Sequence, residues 1–289
     1  MRAANFYQGK LNQSRQERNE SPLIKIRKFN NYIKSVTISD ALDSTQGGRE
    51  VGGARVLDLC GGSGGDLAKF SHANISHLTL VDISQTSVEE ANRRYKEGEY
   101  RYYMESHVGN AFDFAWMKQI LHDGQEESKQ HSFDLINCQF ALHYAFDNVS
   151  TITQVFQIFD WALKPGGKVV ATFINASEVM ARLESSDMWK TPHFCIQKQK
   201  EGYLFSMGEA VVNVLEFPVY QGQVEEMCHS HNLNVTTWVP FLQVLNKSLH
   251  NPTHLDFWKR LRFSKEDVAE VILENLYIAM LLTKKEIDT

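Results

Sequence analysis

Cysteine is scarce and scattered in this chain. Cys60, Cys138, Cys195 and Cys228 are the four among 289 residues, with no C-x-x-C pair. Neither a zinc site nor a disulfide framework is therefore expected, and reduced thiols are. Long hydrophobic runs are absent too. The nearest to a membrane span, "VILENLYIAMLL", is interrupted by Glu274 and Asn275 well short of the roughly 18 apolar residues a span requires. The start, "MRAANFYQGK", lacks the apolar region of a secretory signal. Internal repeats and low-complexity tracts are missing as well. These absences predict a soluble, intracellular protein with no membrane partner.

What is present describes a folded chain. Hydrophobic residues make up 43%, with seventeen Phe, ten Tyr and five Trp, which excludes disordered and fibrous classes. The length suits one large α/β domain with insertions. Net charge is −5, yet residues 1–40 carry Arg2, Lys10, Arg15, Arg18, Lys25, Arg27, Lys28 and Lys34 against Glu17, Glu20 and Asp40. That stretch is +5, which leaves −10 for the remainder. A basic arm that meets phosphate and a solvated helix face both account for it.

Residues 21–42 carry apolar positions at spacings of three to five, which predicts an amphipathic helix after Pro22. The loop "DSTQGGREVGG" leads to a short apolar strand, "ARVLDLC", then "GGSGGDLAKF", a glycine turn opening a helix. "HLTLVDIS" is a second strand ending in Asp82. A helix should run from about Thr86, where Thr86 and Glu89 have capping-box spacing, to Gly98. A weaker strand ("YRYYMESHVGN"), a helix near 111–121 and the polar loop "HDGQEESKQHS" follow. "FDLINCQFALHYAF" then supplies a fourth strand, 149–163 a helix, "KPGG" a turn and "KVVATFI" a fifth strand. Alternating strands and helices of this length predict a doubly wound, mainly parallel sheet. Residues 1–50 would form a basic N-terminal arm, 51–175 a cofactor-binding core, and 176–289 a substrate-covering insertion plus the sheet's far edge. In that last part only "LNVTTWV" and "NLYIAMLL" look like strands.

In such a sheet, ligands bind beyond the carboxyl ends of the strands beside the first one. "VLDLCGGSGGD" lies there, and Asp82 stands 24 residues after Asp58, where a carboxylate can accept from both hydroxyls of a ribose. Together they indicate a nucleoside cofactor. Nicotinamide and S-adenosylmethionine sites both use this arrangement. The spelling Gly61, Gly62, Gly64, Gly65 rather than G-x-G-x-x-G, with "LKPGGK" before strand five, favours S-adenosylmethionine; a purely structural glycine turn is the competing reading. Asn110 in "VGNAF" either offers its amide oxygen to an adenine amine or sits in a plain turn.

These residues resemble the mRNA cap guanine-N7 methyltransferase family over about 20–282, through "IRKFNNYIK", "VLDL…GGD", "VDIS…SVEEANRRY", "QFALHYAF" and "LEFPVY". The resemblance implies a class I, Rossmann-like methyltransferase fold, S-adenosylmethionine as cofactor and the 5′ end of capped RNA as substrate. It implies cofactor contacts from Lys34, Asp58, Cys60, Gly62, Asp82, Asn110, Gln139 and Tyr144. Cap contacts are implied for Asn30, Asn31, Ser63, Lys69, Arg94, Phe140, His143, Glu216 and Tyr277. A guanine offers N1–H and an exocyclic amine, which Glu216 can accept, while rings supply a stacking surface. Phe140 and Tyr277 also have a plain reading as core residues.

Guanine N7 carries a lone pair and no proton, so methyl transfer to it needs no protein base; proximity and orientation would drive it. The chain departs from the family pattern at Cys60 (glycine in the family), Ser63 (a lysine), Asn110 (an aspartate) and Ile174 (a proline). Those departures leave two rivals: a catalytically silent homologue that binds RNA or a partner, and a small-molecule methyltransferase. The resemblance further implies nuclear action and a monomer, with other capping enzymes or an activating subunit as partners.

Overall fold

The computed structural model describes residues 20–43, 53–122, 130–271 and 275–286. The four most N-terminal basic residues, Arg2, Lys10, Arg15 and Arg18, and most of the loops 43–53 and 122–132 lie outside the described residues.

The chain begins with α1 (Ile24–Asp43), then β1 (Ala54–Leu59), α2 (Leu67–His72), β2 (Ile75–Asp82), α3 (Gln85–Glu97), β3 (Tyr103–Val108), α4 (Phe114–His122) and β4 (Phe133–Gln139). A 3₁₀ turn (Leu142–Asp147) leads to α5 (Val149–Ala162) and β5 (Leu163–Ile174). The remainder is α6 (Ala176–Glu184), β6 (Met188–Lys190), β7 (Cys195–Gln199), β8 (Gly202–Met207), β9 (Val211–Glu216), α7 (Gln221–Ser230), β10 (Leu233–Pro240), α8 (Phe241–Ser248), α9 (Pro252–Leu261), α10 (Lys265–Val271) and β11 (Tyr277–Lys284).

Seven strands make one sheet in the order β10-β11-β5-β4-β1-β2-β3, in which β11 alone runs against the others. β1 and β4 are neighbours, so the order reverses between them. Their carboxyl ends form the crevice where a wound sheet takes ligands. The central strands are buried on both faces because helices cover both; α5 presses Ile152, Val155, Phe156 and Phe159 onto one of them at helical spacing. Removing each such side chain from water contributes about 1.5–3 kcal/mol.

Three expectations shift. The helix after β2 starts at Gln85, because Ser84 rather than Thr86 caps it, its side chain accepting from Ser87 N–H at 3.3 Å. "KPGG" does not separate a helix from a strand: it lies inside β5, where Gly166 has φ +73° and the pairing with β4 slips between Phe133 and Leu135. Residues 188–216 form a second, antiparallel sheet in the order β6-β7-β8-β9, which the polar character of these segments hid.

α1 packs against α8, α9 and the wound sheet. Phe29 packs edge-on to Phe241 (6.2 Å), and Tyr32 meets Trp258 at 5.0 Å while its hydroxyl pairs with Ser248 Oγ at 2.8 Å. This anchoring fixes where Arg27, Asn30, Asn31 and Lys34 face.

Candidate functional site

The glycine turn after β1 is shaped by a buried carboxyl. A Cβ on Gly61 would stand 2.6 Å from Asp58 Oδ2, so nothing larger than glycine fits there. Gly62 has φ +53° and donates its N–H to Asp82 Oδ2 at 2.8 Å, while Asp82 Oδ1 accepts from Ser84 N–H at 2.8 Å. Each Asp82 oxygen thus keeps a lone pair for a ligand. Burial pushes the Asp82 carboxyl up, against these two backbone bonds.

Around this turn lies a cavity of about 450 Å³, within the range of small-molecule sites. Cys60, Gly62, Asp82, Asn110, Gln139 and Tyr144 line it, six of the eight residues expected to hold a cofactor. Ile83, Ser87, Phe112, Asp147 and Thr151 join them. Nothing marked these in the sequence beyond their neighbours: Ile83 and Ser87 follow Asp82, Phe112 follows Asn110, and Asp147 and Thr151 flank the start of α5. Asn110 Oδ1 accepts Phe112 N–H at 3.1 Å, as an Asn in a turn does, and an amide oxygen has a second lone pair. Cys60 takes a left-handed φ of +57°, and its thiol meets that of Cys138, which together with burial raises its pKa well above the usual range.

Lys34 and Asp58 do not line that cavity. Lys34 Nζ pairs with Asp66 Oδ1 at 2.6 Å. Burial works to raise Asp66, but Lys34 and Lys69 outweigh it and hold the carboxyl well below the ordinary range. Asp58 sits behind the turn, its carboxyl pushed up to about 8 by burial and by Asp66.

A second cavity of about 150 Å³ adjoins the first across Phe140, which lines both. Its walls include Asn30, His143, Glu216 and Tyr277, four more of the expected cap residues, with Arg27, Ile174, Phe205 and Met207. Arg27, expected only as part of the basic arm, stands one helical turn before Asn30 on α1. Phe140 has φ +56°, and this left-handed kink at the end of β4 redirects the chain so that His143 faces the second cavity and Tyr144 the first. The two rings lie 4.1 Å apart.

The electrostatics of the second cavity are unusual. Glu216 and His143 are each 3% exposed. Glu216 Oε2, both His143 ring nitrogens and Asn30 Oδ1 are buried with no hydrogen-bond partner among the described residues. His143 Nε2 lies 3.5 Å from Glu216 Oε1, too far and too poorly aligned for a hydrogen bond. Burial alone pushes Glu216 up to about 8 and His143 down to about 3. Buried polar atoms are nearly always paired in folded proteins, so several unpaired ones around one cavity point to a ligand that pairs them.

Asn31, Ser63, Lys69 and Arg94 line neither cavity. Lys69 Nζ is engaged by Asn31 Oδ1, Gly65 O and Asp66 Oδ1, each at 2.9 Å, and so clamps α2 to α1. Arg94 donates to Glu90 at 2.7 Å along its own helix. Among the described residues, no group of His, Cys, Asp and Glu could hold a metal ion, and no helix is long and apolar enough to cross a membrane.

The fold is that of a crystal structure of an S-adenosylmethionine-dependent methyltransferase from Clostridium acetobutylicum, with a TM-score of 0.52 at 14% identity, covering 90% of this chain and 92% of that one. The mRNA cap guanine-N(7) methyltransferase of Drosophila melanogaster is 31% identical over 270 residues, which is 87% of this chain. The Schizosaccharomyces pombe enzyme of the same name is 26% identical over 266 residues, covering 85% of this chain and 70% of its own length. This chain spans 63% of the fly protein's length. Residues 2–275 match the family described as the mRNA (guanine-N(7))-methyltransferase domain, and the chain belongs to that family.

Proposed function

We propose that the protein transfers the methyl group of S-adenosylmethionine to N7 of the guanosine that caps mRNA. The observation that carries this reading is the pair of cavities separated by Phe140, one built for a nucleoside and the other lined by unpaired acceptors and rings. The relatives named for the same activity support it.

The residues of the first cavity fit the cofactor. Asp82 has the spare lone pairs a ribose diol requires, and the Cys60–Gly62 turn lets the backbone approach it. S-adenosylmethionine supplies, when bound, a methyl group on a positively charged sulfur. Tyr144 and Gln139 line the wall nearest Phe140, so they orient the donor toward the second cavity. There Glu216 and Asn30 offer acceptors to the N1–H and amine edge of a guanine, and Phe140 and Tyr277 offer ring faces. N7 carries no proton, so no side chain has to remove one. The protein's work is alignment, which in favourable cases supplies about 7–11 kcal/mol of barrier lowering.

Lys69 and Arg94 are committed to internal partners; Arg27 lines the second cavity but donates to Glu209 Oε1 at 2.9 Å, so on this reading it exchanges Glu209 for a cap phosphate. One chain carries both cavities, which supports a monomer as the working unit. On this reading the protein acts in the nucleus, as mRNA capping enzymes do in general, beside other capping enzymes or an activating subunit.

The test is incubation with methyl-labelled S-adenosylmethionine and capped RNA. Label at guanine N7 is expected. Binding of S-adenosylhomocysteine without label transfer would favour the silent homologue, and indifference to a cap analogue would favour a small-molecule enzyme.

A further inference from the structure

Four polar side chains run through the sheet beneath the wall between the two cavities. Asn137 Nδ2 donates to Asp58 Oδ1 at 2.7 Å, and Gln139 Nε2 donates to Asn137 Oδ1 at 2.7 Å. Thr172 Oγ1 donates to Gln139 Oε1 at 2.8 Å and accepts from Phe140 N–H at 3.1 Å. The same N–H also reaches the Thr172 carbonyl at 2.9 Å. Every bond points the same way, from Phe140 N–H to Asp58. Turning one amide over alone would set like against like along the line, so the two amides are locked to each other.

Its position is what makes it more than packing. Thr172, Asn137 and Asp58 are buried at 0–2% exposure, on adjacent strands β5, β4 and β1. Two members of the chain, Gln139 and Phe140, line the first cavity, and Phe140 lines both. Phe140 is held at φ +56°, a left-handed conformation that is unfavourable for a non-glycine residue. Such a conformation persists only where neighbours over-determine it, and its N–H is held twice by Thr172. The ring end is set by Tyr277 at 5.1 Å and Phe241 at 6.2 Å.

We infer that Thr172 is a positioning residue for methyl transfer: through its hydroxyl it locks the Gln139 amide and the left-handed Phe140 backbone, so that the donor and acceptor cavities keep the alignment in-line transfer requires. This rests on the proposed cap-methylating activity. Thr172 itself touches neither ligand cavity.

The test is Thr172→Val, which keeps the β-branched shape and removes only the hydroxyl. Misplacement of about 1 Å costs roughly a hundredfold in rate, so kcat should fall about 10- to 100-fold. KM for cap analogue and for S-adenosylmethionine should change less than about threefold. Thr172→Ser, which restores the hydroxyl, should recover kcat to within about twofold. A folded Thr172→Val with kcat near wild type, or with a raised KM and unchanged kcat, overturns the inference. Should that variant not fold, Asn137→Ser breaks the same chain one link away and is judged by the same division between kcat and KM. If the wild type methylates no capped RNA, the substrate reading fails separately. Amide exchange then decides: about tenfold faster exchange at Phe140 in the variant supports the lock, and equal exchange refutes it.

Discussion

Replacing Glu216 with glutamine should make the protein more stable and weaken its binding of a cap analogue. The carboxyl is buried, one oxygen is unpaired, and its pKa is pushed from 4.5 up to about 8. An unfolded chain releases this proton near pH 4.5 while the native one keeps it until about pH 8. The unfolded state therefore binds fewer protons across that window, and stability falls as pH rises through it. His143 works the other way, since burial lowers it from 6.5 to about 3 and stability rises with pH between those values. The two oppose each other between about pH 4.5 and 6.5, and above that only the Glu216 penalty remains. At 1.36 kcal/mol per pKa unit, the upper bound near pH 8 is about 5 kcal/mol. Relaxation around a buried charge keeps the realised penalty below that bound, which leaves a gain on the order of 1–3 kcal/mol for Glu216→Gln. Thermal melts at pH 8 and pH 5 should show a raised midpoint at pH 8 and little change at pH 5. Cap-analogue titration at pH 8 should show affinity lost by about 1.5–3 kcal/mol, the worth of a charged hydrogen bond. A midpoint lowered at both pH values, or unchanged cap affinity, would refute the reasoning.

Three other variants separate the roles. Asp82→Asn should weaken S-adenosylhomocysteine binding by about 1.5–3 kcal/mol in calorimetry and leave cap-analogue affinity unchanged, because Phe140 divides the cavities; equal loss of both would mean the cavities are not independent. Asp66→Asn leaves Lys34 and Lys69 facing each other with 14% and 10% of their side chains exposed, and should cost about 3–5 kcal/mol in urea unfolding. Lys69→Met should lower the melting midpoint without changing cap-analogue affinity, since its ammonium is engaged by Asn31, Gly65 and Asp66; a salt-dependent loss of cap affinity would return it to the phosphate site.

The wound sheet was legible because its signals are local. β1 is an apolar run that ends in a glycine turn, and the helix after β2 stops at Gly98. The second sheet was not, because β7 buries one of five residues and leaves three fully exposed, so neither alternation nor an apolar run marks it. Glu216 ends that sheet, so it was found only through "LEFPVY" and the family resemblance. The family resemblance likewise placed Lys34, Lys69 and Arg94 near ligands. It could not reveal that Asp66 and Glu90 already engage them. Asn137 and Thr172 carried a signal that went unused: each is a polar residue within an apolar strand, in "LINCQ" and "VVATFI", and only pairing of β4 with β5 and β1 shows what they serve.

The most direct test of the account is a crystal structure with S-adenosylhomocysteine and a cap analogue bound together. The account predicts the ribose on Asp82, the guanine edge on Glu216, and the cofactor sulfur facing guanine N7 past Phe140. A guanine bound outside the Glu216 cavity, or that cavity filled by the protein's own side chains, would contradict it.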